Sequence, residues 1–148
     1  MIEIYIDGLT EPRNPGGIAT WGFVVTNDNI MIQEHGVVGE GPRMSNNVAE
    51  YASLIAALKW IIKQGIDEPV TICSDSQLVV NQMNGMWSVR KGLYIDYYEE
   101  AMMHRSQVEA ELTFKWVPRE QNKRADAMSR VAYEQYCNEH NKPIKYSH

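Results

Sequence analysis

The chain has 148 residues, 44% hydrophobic and 22% charged, with a formal net charge of −5 at pH 7. That length suits one domain whose core needs no covalent or metal staples, and the acidic balance argues against a protein that coats nucleic acid with its whole surface. The longest apolar candidate, residues 53–62, is interrupted by Lys59 and falls short of a membrane span, and Met1-Ile2-Glu3 lacks the basic start of a secretory leader.

The two cysteines, Cys73 and Cys137, lie outside any metal-ligand spacing and read as reduced thiols, Cys73 as a small buried apolar residue. These features point to a cytoplasmic protein without a membrane partner. Two local patches are basic: Lys115, Arg119, Lys123 and Arg124 against Glu120, and Arg90 with Lys91. The plain reading of both is a solvated surface; the alternative is a local contact with a polyanion.

In residues 2–8, Ile2, Ile4 and Ile6 alternate with Glu3, Tyr5 and Asp7, the period-two pattern of a strand with two unlike faces. Gly8 is expected to end this strand, with Asp7 as its last position. Residues 9–17 are dense in Pro and Gly and read as loop. Residues 21–26 and 30–38 read as the second and third strands, joined by the turn residues Asn27-Asp28-Asn29 into an antiparallel meander that ends at residues 39–42.

The period then changes. Over residues 47–64, Tyr51, Leu54, Ile55, Leu58, Ile61 and Ile62 recur at helical spacing, and Gly65 stands where a helix would stop. Residues 69–74 form a fourth strand, followed by a short helix through about Met83 that Gly85 breaks. Residues 93–108 read as helix, 112–117 as a fifth strand and 122–139 as a last helix. Residues 1–140 make one domain, and 141–148 a polar tail expected to be mobile. The pattern is α/β. Strands four and five, each entered through a helical crossover, should pair parallel to a neighbour.

Four acids stand at places the topology brings together. Asp7 closes the first strand, where a turn would explain it. Glu50 lies in the first turn of the long helix, where a capping arrangement with Asn47 would. Asp75 ends the fourth strand, a common helix-start position. Asp126 sits early in the last helix, at the positive end of its dipole. As a set they say more. Asp7 and Asp75 would close neighbouring parallel strands about 5 Å apart, at the strand ends where open α/β sheets bind ligands. Four carboxylates converging there repel each other unless cations lie between them, and all-oxygen ligation fits Mg²⁺ or Mn²⁺ rather than zinc.

Five ordered motifs carry a resemblance: Tyr5-Ile6-Asp7-Gly8, Asn14-Pro15-Gly16-Gly17, Asn46-Asn47-Val48-Ala49-Glu50-Tyr51, Ser74-Asp75-Ser76-Gln77 and Asn122-Lys123-Arg124-Ala125-Asp126. In order and spacing, over residues 1–135, the chain resembles ribonuclease HI. The resemblance implies an RNase H-like fold: a five-stranded mixed sheet of order 3-2-1-4-5 flanked by helices. It implies hydrolysis of the RNA strand of RNA–DNA hybrids to 5′-phosphate and 3′-hydroxyl ends, by a monomer. Asp7, Glu50, Asp75 and Asp126 match the family's metal-binding acids, with two ions roughly 4 Å apart, Asp7 bridging them, Glu50 and Asp75 completing one site and Asp126 the other. Glu50 would also accept a hydrogen bond from a ribose 2′-hydroxyl. Asn46 and Gln77 match positions touching the hybrid's minor groove; Asn14, Arg43 and Ser45 match a DNA-phosphate pocket.

The chain departs from the family pattern twice. The loop Pro118-Arg119-Glu120-Gln121-Asn122 lacks the histidine many members carry there, as do short, including archaeal, forms. Arg119 or Glu120 is the candidate substitute. His35, His104, His140 and His148 lie outside every motif and are assigned to surface. The basic helical protrusion of several bacterial members is also missing, leaving Trp87, Arg90 and Lys91 as candidates for substrate grip. Tyr133 and Tyr136 read as core packing rather than base stacking. Two alternatives follow: a nuclease of the same fold cutting double-stranded RNA or RNA–DNA junctions, or a catalytically silent nucleic-acid-binding module, against which the presence of all four acids counts.

Overall fold

The computed structural model describes residues 1–28 and 30–147. Five strands, β1 (Ile2–Glu11), β2 (Ile18–Asn27), β3 (Ile30–Glu40), β4 (Val70–Ser74) and β5 (Leu112–Trp116), form one sheet of order β3-β2-β1-β4-β5. Four α-helices flank it: α1 (Asn46–Gln64), α2 (Gln77–Met83), α3 (Ile95–Gln107) and α4 (Lys123–Glu139). The first three strands pair antiparallel, and β4 pairs parallel to both β1 and β5. This is the mixed sheet and strand order expected.

The first strand runs longer than the sequence pattern indicated. Pairing with β2 continues past Gly8 through Leu9↔Thr20 and Thr10↔Ala19 to Glu11↔Ile18, so Asp7 lies inside β1 rather than at its end. Residues 9–11 are therefore strand and buried, not loop. The Pro and Gly signals that follow them marked the connection correctly but not where it starts. Part of the turn joining β2 to β3 is Asn29, which lies outside the described residues, as does His148; Asp28 takes the left-handed φ of 50° that turn residues of its type tolerate.

The two faces of the sheet carry different loads. Ile2, Ile4 and Ile6, with Phe23 and Val25, pack under α1 against Leu54, Leu58 and Ile61 in the main core. The opposite face, covered by α4, holds a smaller cluster of Leu9, Ile18, Tyr133 and Cys137. α1 begins at a Ser45 cap, whose Oγ accepts the Val48 N–H at 3.2 Å, and ends at Gly65 with φ 64°. Ile62, read as part of the buried stripe, lies at its edge and stays 37% exposed.

Two glycines let the helices approach. A Cβ on Gly8 would overlap the backbone of Ala49 in the first turn of α1. A Cβ on Gly22 would come within 2.6 Å of Ser129 N and 2.8 Å of Ala125 O in α4. Gly22 is the partner of Asp7 across the β1–β2 pair. Both helices are thus seated against the sheet at the level of Asp7, one from each side.

Residues 142–147 stay exposed apart from the half-buried Tyr146, and they are held to the domain at a few points. Tyr133 Oη donates to Lys145 O at 2.6 Å, the Tyr146 ring lies 5.2 Å from that of Tyr133, and Ser147 N donates to Glu11 Oε1 at 2.7 Å. Charge and polarity concealed this, because the docking depends on one aromatic and on backbone groups. His104 also differs from expectation: its side chain is 13% exposed and Nε2 lies 3.2 Å from Glu100 Oε2.

Candidate active site

β4 stops at Ser74, opposite Ile6, while β1 runs on with β2 alone. Past that point the edge of β1 has no strand to bond to, and side chains of α1 take over. The Gly8 N–H donates to Glu50 Oε1 at 2.6 Å, and two residues on, the Thr10 N–H donates to Asn46 Oδ1 at 3.0 Å. The cleft of about 720 Å³ that opens here is lined by Asp7, Glu50, Asp75 and Asp126. Asp7 enters from the α4 face of the sheet, Glu50 from α1 on the other face, and Asp75 from the end of β4.

None of the ordinary explanations for the first three acids survives. Asp7 is interior to its strand and closes no turn. α1 is capped by Ser45, and the Glu50 carboxylate turns instead to Gly8. α2 is capped by Ser76, whose Oγ accepts the Val79 N–H, so Asp75 is not its cap. One carboxylate oxygen from each of Asp7, Glu50 and Asp75 lies within 4.8 Å of the others. Asp126, in the first turn of α4, stands beside this triad and accepts the Arg130 Nε–H at 2.9 Å.

The electrostatics follow from the crowding. Burial is the main cause that pushes the Asp7 carboxyl well above the usual range, and the charges of Glu50, Asp75 and Asp126 add to it. Glu50 is likewise raised by burial and then by Asp75, against the opposing help of the Gly8 N–H and Arg119. Asp75 is raised by burial, offset by an Asn122 hydrogen bond and by Arg119. A set of hard oxygen donors at this spacing, crowded by like charge, fits a metal cation.

The other candidates divide into two groups. Asn14, Asn46, Arg119 and Glu120 line the same cleft. Asn14 Oδ1 accepts the Asn46 N–H at 2.9 Å, so both amides spend their oxygens on backbone and keep their NH₂ ends for a ligand. Arg119 and Glu120 sit on a single 3₁₀ turn, Arg119–Gln121. Arg43, Ser45 and Gln77 are not among the lining residues: Ser45 serves as the α1 cap, and Arg43 and Gln77 are exposed. Trp87, Arg90 and Lys91 form an exposed loop between α2 and α3, away from the acids.

Two further residues at the site were given no role by the sequence, although the first stands in one of its motifs. Asn122, 1% exposed, donates through Nδ2 to Ile6 O at 2.8 Å and also touches Asp75. Ser129, fully buried, places Oγ 3.5 Å from Asp7 Oδ2 and donates to Asp126 O at 2.7 Å. The signal was helical spacing: Asn122, the residue just before α4, stands four before Asp126, and Ser129 stands three after it.

A mixed sheet of this order, with carboxylates gathered where β4 ends, defines the ribonuclease H-like class of fold. A sequence profile of the family described as Reverse transcriptase-like matches residues 7–132. The chain is 35% identical over 134 residues to the bifunctional protein Rv2228c of Mycobacterium tuberculosis, covering 88% of this chain and 35% of that protein. It is 32% identical over 140 residues to ribonuclease HI of Halobacterium salinarum, covering 88% of this chain and 63% of that one. It therefore spans only about a third of the first relative and under two thirds of the second. The structure of LC11-RNase H1, isolated from compost and solved in complex with an RNA/DNA hybrid, superposes with a TM-score of 0.81 at 30% identity, covering 92% of this chain and 99% of that one. The chain belongs to the Reverse transcriptase-like family and is a relative, over nearly its whole length, of the ribonucleases H1.

Proposed function

We propose that the chain is an endoribonuclease that hydrolyses the RNA strand of RNA–DNA hybrids, leaving 5′-phosphate and 3′-hydroxyl ends. The carrying observation is the Asp7, Glu50 and Asp75 triad within 4.8 Å in an open cleft, with Asp126 beside it. The hybrid bound to the related LC11-RNase H1 supports the choice of substrate.

Asp7, Glu50 and Asp75 would hold one divalent cation and Asp7 with Asp126 a second. Bound there, Mg²⁺ or Mn²⁺ supplies water activation and neutralisation of charge at the scissile phosphate. The chain's own groups do the rest. Gly8 N–H fixes one oxygen of Glu50, which leaves the other to face the cleft and accept from a ribose 2′-hydroxyl, the group that separates RNA from DNA. Asn122 orients Asp75, and Ser129 lies against Asp7. The NH₂ ends of Asn14 and Asn46 donate to the backbone or groove edge of a bound duplex. Of the two loop candidates, the Arg119 guanidinium offers only donors and a positive charge, whereas the exposed Glu120 offers a carboxylate, a group type used in general acid–base catalysis. Glu120 therefore takes the proton-transfer role and Arg119 the electrostatic one.

Labelled RNA–DNA hybrid, double-stranded RNA and duplex DNA, each with Mg²⁺, Mn²⁺ or EDTA, test the reading. Metal-dependent cleavage confined to the RNA strand of the hybrid, and lost in Asp7→Asn, is the expected result. Cleavage of double-stranded RNA in preference to hybrid would replace the substrate, and hybrid binding without cleavage under either metal would overturn the enzyme.

A further inference from the structure

The cleft that holds the acids contains three cationic side chains, Arg119, Lys123 and Arg130. Arg130 alone among them has a side chain fixed from two sides among the described residues. Its Nε donates to Asp126 Oδ2 at 2.9 Å, and its guanidinium lies 4.7 Å over the ring centroid of Tyr146. Tyr146 is itself fixed: its ring packs on Tyr133 at 5.2 Å and its Oη donates to Glu134 Oε2 at 2.6 Å. The next residue, Ser147, is tied to Glu11 and forms part of the cleft wall.

An exposed arginine four residues after an aspartate is ordinarily a helix-surface ion pair worth a few tenths of a kcal/mol. Here that reading leaves the aromatic support unexplained. A free arginine carries about 2 kcal/mol of rotamer entropy that binding would have to overcome. Stacking on Tyr146 and the bond to Asp126 have already removed most of that freedom. Nε is spent on Asp126, so the two terminal NH₂ groups are left, the forked donors that suit phosphate oxygens. The side chain remains 46% exposed, open to a ligand.

We propose that Arg130 is a backbone-phosphate contact for the nucleic-acid strand lying in the acidic cleft, and that Tyr146 is the positioning residue that holds it ready. This rests on the hybrid-cleaving reading of the site and adds a contact on the α4 wall, apart from the Asn14 and Asn46 amides.

The test uses the full chain carrying Asp7→Asn, which keeps the hybrid uncut, and follows binding of a fluorescent hybrid by anisotropy over a series of KCl concentrations. Adding Arg130→Gln should weaken binding about tenfold and reduce the slope of log K against log salt by about one. Adding Tyr146→Ala should weaken binding several-fold in the same direction, while Tyr146→Phe, which keeps the ring, should restore it. Circular dichroism below the melting temperature confirms that each protein is folded. Unchanged affinity and slope in Arg130→Gln, with hybrid still bound, would overturn the phosphate contact alone. A weakened Arg130→Gln beside an unaffected Tyr146→Ala would overturn the positioning role. If the Asp7→Asn protein does not prefer hybrid over DNA duplex, the substrate reading falls and the Arg130 contact with it.

Discussion

Glu50 and Tyr51 are neighbours in α1 and serve opposite ends. The Tyr51 hydroxyl donates to Gln82 Oε1 at 2.6 Å, Gln82 Nε2 donates to Tyr94 Oη at 3.0 Å and to Ser88 O at 3.2 Å, and the rings of Tyr51 and Tyr94 stack 5.7 Å apart. Each polar group there has found a partner, and burial is thereby made cheap. One residue earlier, Glu50 turns the other way into a cluster where its neighbours are acids. Among the described residues, Arg130 with Asp126 is the one cation–carboxylate pair within 4.0 Å in the cleft, and it leaves Asp7, Glu50 and Asp75 without one. A satisfied network holds shape. An unsatisfied one at the mouth of a rigid sheet stores affinity for whatever neutralises it.

Changes on the two sides of this contrast should separate. The largest effect is expected from Asp7→Asn, which should lower single-turnover cleavage of hybrid by about 10³-fold or more, the several kcal/mol associated with metal-assisted charge stabilisation. Gly8→Ala should come next, in stability: its methyl would meet the Ala49 backbone, which cannot yield without moving α1, at a cost of about 3 kcal/mol in urea unfolding. Because the Gly8 N–H also holds Glu50, cleavage should fall in whatever protein still folds. Tyr51→Phe leaves Gln82 Oε1 buried without its donor and should cost about 1–2 kcal/mol, yet leave divalent-ion affinity by calorimetry unchanged. Loss of ion affinity in that variant would collapse the distinction between the two regions. The smallest effect falls outside both: Arg90→Glu with Lys91→Glu should raise KM for hybrid more than it lowers kcat, and an unchanged KM would remove that loop from substrate binding.

The pH dependence has a definite sign. Asp7, Glu50 and Asp75 all have carboxyls raised on folding. A raised group contributes stability that is complete below its unfolded value of about 4 and is lost as pH rises through the higher folded value. In EDTA, wild-type stability should therefore fall from about pH 4 toward neutrality more steeply than that of Asp7→Asn. Divalent cation, binding the folded state alone, should flatten the wild-type curve. Equal pH slopes in the two proteins would contradict the crowding of charge.

How far the sequence carried this picture depended on what kind of signal each residue left. Alternation in β1 and helical spacing in α1 placed Asp7 and Glu50 on the right elements, and the crossover rule placed β4 beside β1. The end of β1 was misjudged because Gly8 was taken as a terminator. Its actual task is to admit α1, a close approach that no local pattern expresses. Arg43, Ser45 and Gln77 matched family positions, but only the fold reveals that Ser45 is occupied as a cap and that none of the three lines the cleft. Asn122 and Ser129 stood at helical spacing from Asp126 and carried no meaning until Asp7 was known to lie beside Ser129. The docking of Tyr146 was illegible, since it rests on a partner from another element.

The most direct measurement is the melting temperature of wild type and Asp7→Asn, each in EDTA and in millimolar Mg²⁺ at neutral pH. If the carboxylate cluster exists to hold cations, the curves cross. In EDTA the variant should melt higher by about 3 °C, since one repelling charge is gone. In Mg²⁺ the wild type should rise and the variant should gain little. A variant that melts lower than wild type in EDTA, with Mg²⁺ moving neither protein, would mean that Asp7 is a structural acid and that the cleft is not a metal site.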